Sequence, residues 1–198
     1  MVPGFIPLDQ TQTAGGRGWL GRFGGGCDYQ FSRIVIGAFA DYDAKSVKGT
    51  WSDALGFAGN ETETGSWAVG PRIGLALTPG SLAFANGGYT QARFGSFGLT
   101  TATGVPLPFN MAAQTYNGWF LGSGAETSIS SWLPGLPNGL FLKTEYRYSS
   151  YGARDVPILF TPTGALTGAY EHQTKYEQSV TTSLVWRFNW GGPISTRY

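Results

Sequence analysis

Oppositely charged side chains at alternate positions are the feature of this sequence with the clearest potential for chemistry. Lys143, Glu145 and Arg147 stand at every second residue, a spacing that places all three on the same face of a β-strand. Such a group could act as acid and base in catalysis, although charges this close more often form structural ion pairs. We therefore expect ion pairing from this segment and no catalysis.

Three further patterns lack the context that their chemistry needs. The segment 16–21 satisfies the dinucleotide-binding pattern G-x-G-x-x-G, but it follows no predicted strand and opens no predicted helix. His172, the only histidine, lies in the longest predicted loop without a recognised set of metal ligands nearby. A lipid-modifying enzyme would need a base beside a nucleophile, and the spacing of His172, Ser179 and Asp155 does not favour one. We predict no catalytic, cofactor-binding or metal-binding residues.

The composition narrows the fold class. The chain of 198 residues has 31 Gly, 7 Trp, 10 Tyr and 13 Phe, whereas its 13 basic and 12 acidic residues leave no net field to attract nucleic acid. The single Cys27 excludes a disulfide framework. Apolar residues make up 41%, too many for a disordered chain, and no apolar run approaches the ~20 residues of a membrane-spanning helix. This mixture favours one all-β domain whose aromatic residues face an apolar solvent.

Period-two alternation of side-chain character predicts the strands. Successive residues of a strand point to opposite faces, so alternation marks a strand with two different environments. In the segment 82–94 the faces are not clear, because Asn86 shares a face with Leu82 and Phe84. The seven predicted strands are 17–31, 34–43, 66–77, 82–94, 116–129, 140–148 and 179–190.

The connections between these strands alternate in length. The segments 44–65, 95–114 and 152–177 are long and polar, whereas the connections 31–34 and 78–81 are tight turns. Short turns on one side and long loops on the other are typical of a transmembrane barrel, in which the long loops face outward from the cell. We therefore predict three external loops.

The two faces of these segments differ in character. One face carries the aromatic and branched apolar residues, and the other carries Gly and Ala between isolated charges, as in Gly24, Gly26 and Asp28. In a soluble barrel such as a lipocalin the charges would point outward and the aromatic residues inward. A solvated face has little use for Gly, however, whereas small residues beside nearly cancelling charges suit a narrow interior. The predicted ion-pair network of the barrel interior comprises Arg22, Asp28, Asp41, Arg72, Glu126, Lys143, Glu145, Arg147 and Arg187.

The opposite face would then contact lipid. Tyrosine and tryptophan prefer the boundary between lipid and water, where the ring is in lipid and the polar tip reaches the headgroups. Cys27 on this face would act as a small apolar side chain. The predicted lipid-facing aromatic girdle comprises Trp19, Trp67, Trp119, Tyr146, Tyr148, Trp186, Phe188 and Trp190.

Several motifs resemble one known family. The sequences WFLGSGAE at 119–126, KTEYRY at 143–148 and LVWRFNW at 184–190 are similar to those of the porin-like outer-membrane β-barrel surface antigens of alphaproteobacteria, which are related in fold to the transmembrane domain of OmpA. GAFAD at 37–41 and RIGL at 72–75 match the third and fourth strands of that family. The resemblance covers about residues 15–198. It implies an antiparallel up-and-down transmembrane barrel of eight strands without catalytic residues.

The predicted domain organisation departs from this family in one respect. Single-chain bacterial barrels have an even number of strands, and seven are visible here. Pro3 and Pro7 make the first residues unsuited to the missing strand. We expect residues 1–16 to be the first external loop of a barrel whose first strand and export signal lie upstream, residues 17–190 to be the barrel, and residues 191–198 to be a periplasmic tail.

The expected function follows from this architecture. An eight-stranded barrel has an interior that side chains fill, so a wide pore is not expected. We predict a non-enzymatic protein of the bacterial outer membrane that supports envelope integrity, contacts membrane lipids and lipopolysaccharide, needs no cofactor and presents loops to outside partners. The alternatives are a narrow porin-like channel for small solutes or ions and a soluble lipocalin-like ligand-binding barrel.

Overall fold

The fold is all-β. The structure, a computed structural model, describes residues 6–7, 15–52, 56–129, 133 and 139–187. Among these residues no helix is long and apolar enough to cross a membrane. The ten strands are β1 (Ile6–Pro7), β2 (Gly16–Phe31), β3 (Ile34–Ser52), β4 (Phe57–Thr78), β5 (Ser81–Phe94), β6 (Phe97–Thr101), β7 (Pro106–Met111), β8 (Gln114–Ser128), β9 (Leu140–Phe160) and β10 (Ala165–Trp186).

All ten strands belong to one sheet. The long strands pair antiparallel in the order β2, β3, β4, β5, β8, β9, β10, and β1 adds a short parallel contact to β10. β6 pairs with β4 and β7 with β9, so the β6–β7 hairpin lengthens the β5–β8 hairpin beyond Gly95. β2 and β10 pair with no further long strand among the described residues.

The two ends of the sheet differ. At one end, here called the lower end, lie the tight turns at Ser32–Arg33 and Pro79–Gly80, the end of β8 and the start of β9. Gly80 supplies a φ of 95° at its turn, whereas Ser32 adopts a φ of 55°. The opposite, upper end carries the end of β3, the start of β4 and the turns after β6 and β9.

Contacts between strands that are not neighbours show that the sheet curls around one interior. The Nη1 atom of Arg22 on β2 lies 3.4 Å from the Oγ1 atom of Thr181 on β10. The rings of Phe39 on β3 and Phe120 on β8 meet edge to face with centroids 5.9 Å apart. The face that points toward these contacts is called the inner face, and the opposite one the outer face.

The predicted strands all lie in observed strands, apart from the ends of two. Ile129 lies just beyond β8, and β10 ends at Trp186, so that Arg187 is not in a strand and residues 188–190 lie outside the described part. The face assignment of 82–94 is resolved: Leu82, Phe84 and Asn86 are all buried on the inner face. The interior of this sheet therefore contains large apolar side chains as well as charges.

The prediction of three long loops is wrong, because these segments are mostly strands. Most of 44–65 belongs to β3 and β4, most of 95–114 to β6 and β7, and most of 152–177 to β9 and β10. Register shifts after Ala44, at Gly65 and near residue 152 break the alternation in these segments. The outer face of these strand extensions also carries polar residues, so the two faces no longer differ in polarity. Similarly, the predicted loop 1–16 contributes β1 and the first residue of β2.

A separate apolar core closes the interior toward the upper end. Its buried members come from β3 and from β5 to β9, and partly buried aromatic residues pack against them. The core consists of Trp51, Ala92, Leu99, Met111, Tyr116, Tyr151, Val156 and Ile158. The strand extensions are therefore a folded continuation of the sheet.

Gly88 on the inner face gives the first prediction. A Cβ at Gly88 would stand 2.2 Å from the carbonyl oxygen of Val69, whereas a Cβ at Gly25 on the outer face of β2 would meet no atom within 4 Å. We expect Gly88→Ala to lower the free energy of unfolding by about 1–3 kcal/mol because it forces β4 and β5 apart. The matched variant Gly25→Ala should change it by less than about 0.5 kcal/mol. Urea titration measures both, and equal effects would contradict this packing.

Candidate functional site: paired charges inside an apolar surface

Four charged side chains form a closed ring at the lower end of the interior. Arg72 on β4 bonds both Asp28 on β2 and Glu126 on β8. Arg187, just after β10, bonds the same two carboxylates, with 2.7 Å between its Nη1 atom and Asp28 Oδ2. Each cation thus contacts two anions and each anion two cations. The ring has no net charge, and the Glu126 side chain in it is fully buried.

A second cluster of three cations and three anions lies above this ring. Arg22 makes a two-pronged contact with Asp43, at 2.7 Å from Nε and 2.9 Å from Nη2, and its Nη1 atom lies 3.2 Å from Glu145. The Nζ atom of Lys143 lies 2.5 Å from the second oxygen of Glu145. These contacts join β2, β3 and β9.

Arg147 completes the second cluster. Its two terminal nitrogens lie 2.9 and 2.6 Å from the two carboxylate oxygens of Asp41, and its Nε lies 2.9 Å from Glu145. Paired two-point contacts of this kind are among the strongest hydrogen bonds in proteins. The carboxylate of Glu145 is fully buried and receives all three cations of the cluster.

A third cluster, nearer the upper end, has more acid than base. Lys45 Nζ lies 2.8 Å from Glu63 and 2.5 Å from Glu177, so that two carboxylates share one ammonium. Lys175 on β10 is bonded to Glu61 on β4. The apolar core lies beyond these groups. Paired charges therefore occupy the interior at three successive levels.

Aromatic rings of the inner face pack against the cations. The guanidinium carbon of Arg147 lies 4.5 Å from the ring centre of Phe120, and that of Arg72 lies 5.2 Å from Phe84. The Nζ atom of Lys175 lies 4.6 Å from the ring centre of Phe94. Contacts between cations and aromatic faces are strengthened where water is excluded. The large apolar residues inside thus support the charges.

The outer face carries the opposite kind of residue. Six aromatic side chains, one from each strand of the set β3, β4, β5, β8, β9 and β10, follow one another around the sheet at similar height. Trp67 and Tyr89 have ring centres 5.2 Å apart, Trp119 and Tyr148 are 5.8 Å apart, and Tyr148 stacks on Tyr176 at 6.3 Å. This upper aromatic row comprises Tyr42, Trp67, Tyr89, Trp119, Tyr148 and Tyr176.

Two polar groups of the upper aromatic row donate hydrogen bonds to amide side chains on adjacent strands. The indole N–H of Trp67 donates to Gln91, and the hydroxyl of Tyr89 donates to Asn117 at 2.9 Å. Gln91 also donates to Asn117. These polar partners lie on the same outer face as the rings, which gives the row an amphipathic character.

Below the upper aromatic row the outer face is apolar. Ile73 is 57% exposed in the middle of β4, and Val180 is 71% exposed on β10. Tyr29, Phe31 and Trp186 are exposed near the lower end and form a second aromatic zone. A monomer in water seldom exposes so large a continuous apolar surface.

The nine residues predicted for the interior network all take part in ion pairs. Arg22, Asp28, Asp41, Arg72, Glu126, Lys143, Glu145, Arg147 and Arg187 divide between the lower ring and the second cluster. Sequence reasoning missed Lys45, Glu61, Glu63, Lys175 and Glu177, because they lie in segments interpreted as loops. Alternation that continues past a bulge is the signal that could have found them.

Six of the eight residues predicted for the girdle lie in described segments. Trp19, Trp67, Trp119, Tyr146 and Trp186 are exposed on the outer face, and Tyr148 is partly exposed there. Phe188 and Trp190 lie outside the described residues. Sequence reasoning missed Tyr89, since the faces of its strand were unclear, and Tyr176, since its segment was interpreted as a loop.

The motifs set aside in the sequence have ordinary places in the sheet. The glycine pattern at 16–21 lies within β2, where no helix follows it. His172 is in β10 rather than in a loop, and its Nδ1 atom lies 2.7 Å from Asp155 Oδ1. Ser179 is seven residues further along the same strand, about 23 Å away at ~3.3 Å per residue, so the three residues form no triad. Cys27 is exposed, and no metal-binding group of His, Cys, Asp or Glu occurs among the described residues.

Comparison of the chain with protein-family models, with curated proteins and with solved structures finds no match. The functional argument therefore depends on the geometry of the two faces.

Removal of Glu145 tests the central ion pairs. We expect Glu145→Leu to lower the free energy of unfolding by about 3–5 kcal/mol, because Arg22, Lys143 and Arg147 lose their shared buried anion. Thr144→Leu, at the neighbouring exposed position on the outer face, is the control and should have little effect. Thermal or urea unfolding measures both variants, and an unaltered Glu145→Leu protein would refute the dependence on pairing.

Glu63 gives a prediction of pH dependence. It lies beyond the upper aromatic row, and burial together with the negative charge of Glu177 raises its pKa from 4.5 to about 7. Between about pH 4.5 and 7 the folded chain therefore holds a proton on Glu63 that the unfolded chain has released. This contribution to stability is complete below about pH 4.5 and is lost as the pH rises through about 7.

The variant Glu63→Gln isolates this effect, because its amide cannot ionise. We expect the two proteins to be similarly stable at about pH 5, and the variant to be more stable by about 1–3 kcal/mol at about pH 9. Unfolding free energies across this pH range provide the measurement. A constant difference between the two proteins at every pH would contradict the prediction.

Proposed function

We propose that the chain is a non-enzymatic transmembrane β-barrel protein of a bacterial outer membrane that supports envelope integrity. The observation that carries the proposal is the distribution of side chains between the two faces. Buried ion pairs fill the inside, while Trp67, Trp119 and Trp186 are 36%, 50% and 56% exposed on the outside. A surface of this kind is stable where the surrounding solvent is lipid.

The height of the apolar outer surface supports the proposal that lipid surrounds it. From Trp67 in the upper aromatic row to Leu77 at the lower end, β4 advances ten residues, which is about 33 Å at ~3.3 Å per residue. Strands in such barrels tilt by ~40°, which reduces this length to about 25 Å along the membrane normal. That is the usual height of the apolar band of an outer-membrane barrel, ~25 Å.

We propose a barrel of eight long strands. Seven of them are β2, β3, β4, β5, β8, β9 and β10, and the eighth would lie between β2 and β10. β2 and β10 both run from the upper to the lower end, so a strand running the opposite way could pair antiparallel with each of them. Side chains already reach from one to the other, as in the contact between Arg22 and Thr181. Unpaired backbone groups are unfavourable in lipid, and an eighth strand would satisfy both edges.

The proposed barrel is closed to solutes. An eight-stranded barrel has an interior that side chains fill, and here the lower ring, the second cluster and the apolar core lie one above another within it. A conducting path would require several buried ion pairs to separate together. We therefore favour a role in envelope integrity over the narrow channel.

The soluble ligand-binding alternative requires the opposite arrangement. A lipocalin-like barrel would enclose its large aromatic residues and expose its charges to water. Here Glu126, Glu145 and Arg147 are buried and the tryptophans are outside. The porin-like surface antigens remain the family that we propose for the chain, with the upper strand extensions, including β6 and β7, as the surface offered to outside partners.

A charge placed in the apolar outer surface tests the proposal. We expect Ile73→Arg to weaken folding into a phosphatidylcholine bilayer by about 2–4 kcal/mol, because Ile73 would lie near the membrane centre. Asn60→Arg adds the same charge on the same strand beyond the upper aromatic row and should have no such effect. The fraction of protein with heat-modifiable gel mobility after reconstitution measures folding.

The wild-type protein in the same bilayers should leave their conductance at that of lipid alone. A wild-type protein that stays in solution and enters no bilayer would refute the membrane proposal. Equal folding of Ile73→Arg and wild type would place Ile73 outside the lipid and would also refute it.

A further inference from the structure

Basic residues are exposed beyond the upper aromatic row, four to six positions further along the strands toward the upper end. They come from four strands, β2, β3, β5 and β9. Among the described residues no acidic side chain is exposed at this height, and Asp155, next to Arg154 in the chain, is bonded to His172. This basic collar consists of Arg17, Lys48, Arg93 and Arg154.

Two members of the basic collar face each other without a counter-ion. Arg17 on β2 and Lys48 on β3 are direct cross-strand partners, and both are exposed. Like charges at such a position destabilise a sheet. Neither side chain has a carboxylate within ion-pair distance in the part of the chain that the structure describes, whereas Lys45 nearby on the inner face contacts two. The pair therefore suits an anion from outside the chain.

The other two members converge on Thr115. Arg93 on β5 is the cross-strand partner of Thr115, and Arg154 on β9 donates a hydrogen bond from Nη1 to the Thr115 carbonyl oxygen. This bond uses one nitrogen of the Arg154 guanidinium, and the other donors have no partner among the described residues. The Arg93 guanidinium likewise has no partner there.

A cleft lies beside Arg154. The pairing of β8 with β9 ends at Gly118 and Tyr151, and the pairing of β7 with β9 resumes at Met111. The wall between these points is open as a cleft of about 240 Å³, whose lining is Tyr116, Asn117, Gly152, Ala153 and Arg154. This volume is below the ~300–1,000 Å³ typical of sites for drug-sized ligands. A single phosphate group with its ester linkages is a better match.

We propose that the basic collar binds the phosphate groups of anionic lipids in the leaflet around the upper end of the protein. The inference rests on the proposed function, since the collar meets a leaflet only if the apolar outer face is in lipid. The upper aromatic row would then lie at the depth of the headgroup boundary. The collar residues stand four to six positions further along their strands, and their long side chains can reach back toward the phosphates. Arginine suits this role because its planar donors bind two phosphate oxygens at once.

Lipid selectivity of the reconstituted protein tests this inference. Wild-type protein is placed in vesicles of phosphatidylcholine mixed with phosphatidylglycerol, one lipid at a time being brominated. Brominated lipid quenches tryptophan fluorescence on contact, and the tryptophans of the upper aromatic row report lipid beside the collar. We expect phosphatidylglycerol to be preferred, and each collar residue replaced by Gln to reduce this preference by about fivefold.

The variant pairs Arg17→Gln/Lys48→Gln and Arg93→Gln/Arg154→Gln examine the two halves of the collar separately. The matched control Arg93→Lys/Arg154→Lys keeps the charge at the same positions and should retain most of the preference. Inorganic phosphate added to the mixed vesicles should not displace phosphatidylglycerol. Displacement by inorganic phosphate would show a site for the free ion and would overturn the assignment to lipid.

Heat-modifiable gel mobility of every sample separates the two proposals. If the wild type folds into both vesicle types but shows no preference, or if the Gln variants keep it, the lipid-binding inference is overturned while the membrane proposal stands. If the wild type enters neither vesicle type, both are overturned.

Discussion

The need to pair buried charges is the constraint on which this structure depends. A carboxylate as buried as that of Glu126 or Glu145 is stable only with cations and hydrogen bonds around it. Several of those partners come from strands that are not neighbours, as in Arg72–Glu126 and Arg22–Glu145, and these ion pairs also fix the position of one strand relative to another. Small residues such as Gly122 and Gly124 leave room for the long side chains that cross the interior. Charge balance and shape therefore depend on the same residues.

The outer face follows from this interior. Because the strands commit their charges inward, alternate positions remain for apolar and aromatic residues, and the outside becomes the less polar of the two surfaces. The upper aromatic row and the polar partners Gln91 and Asn117 mark where this apolar surface ends. Beyond it, the strands carry polar residues outward and enclose an apolar core instead. The same strands thus have two different side-chain distributions along their length.

Sequence alone was informative where alternation is strict. In the segments 34–43 and 140–148 all the charges lie on one face and the other face carries none, which predicts both the strand and its orientation. The strand extensions could not be predicted in the same way, because a bulge moves each later side chain to the other face and the polar outer positions remove the contrast. The pairing partners were also beyond the pattern, since Arg147 and Asp41 are 106 residues apart and only the folded sheet brings them together.

The distance along the chain between interior partners has a consequence for assembly. Arg22 on β2 contacts Thr181 on β10, 159 residues later in the chain. Asp28 and Arg187 are separated by the same number of residues. Contacts of such high sequence separation form late and slowly, because much of the loop-closure entropy is lost before they stabilise the chain. Until then the apolar outer face is exposed while the interior ion pairs are not yet formed. An apolar surface exposed before these contacts form makes a partly folded chain prone to aggregation.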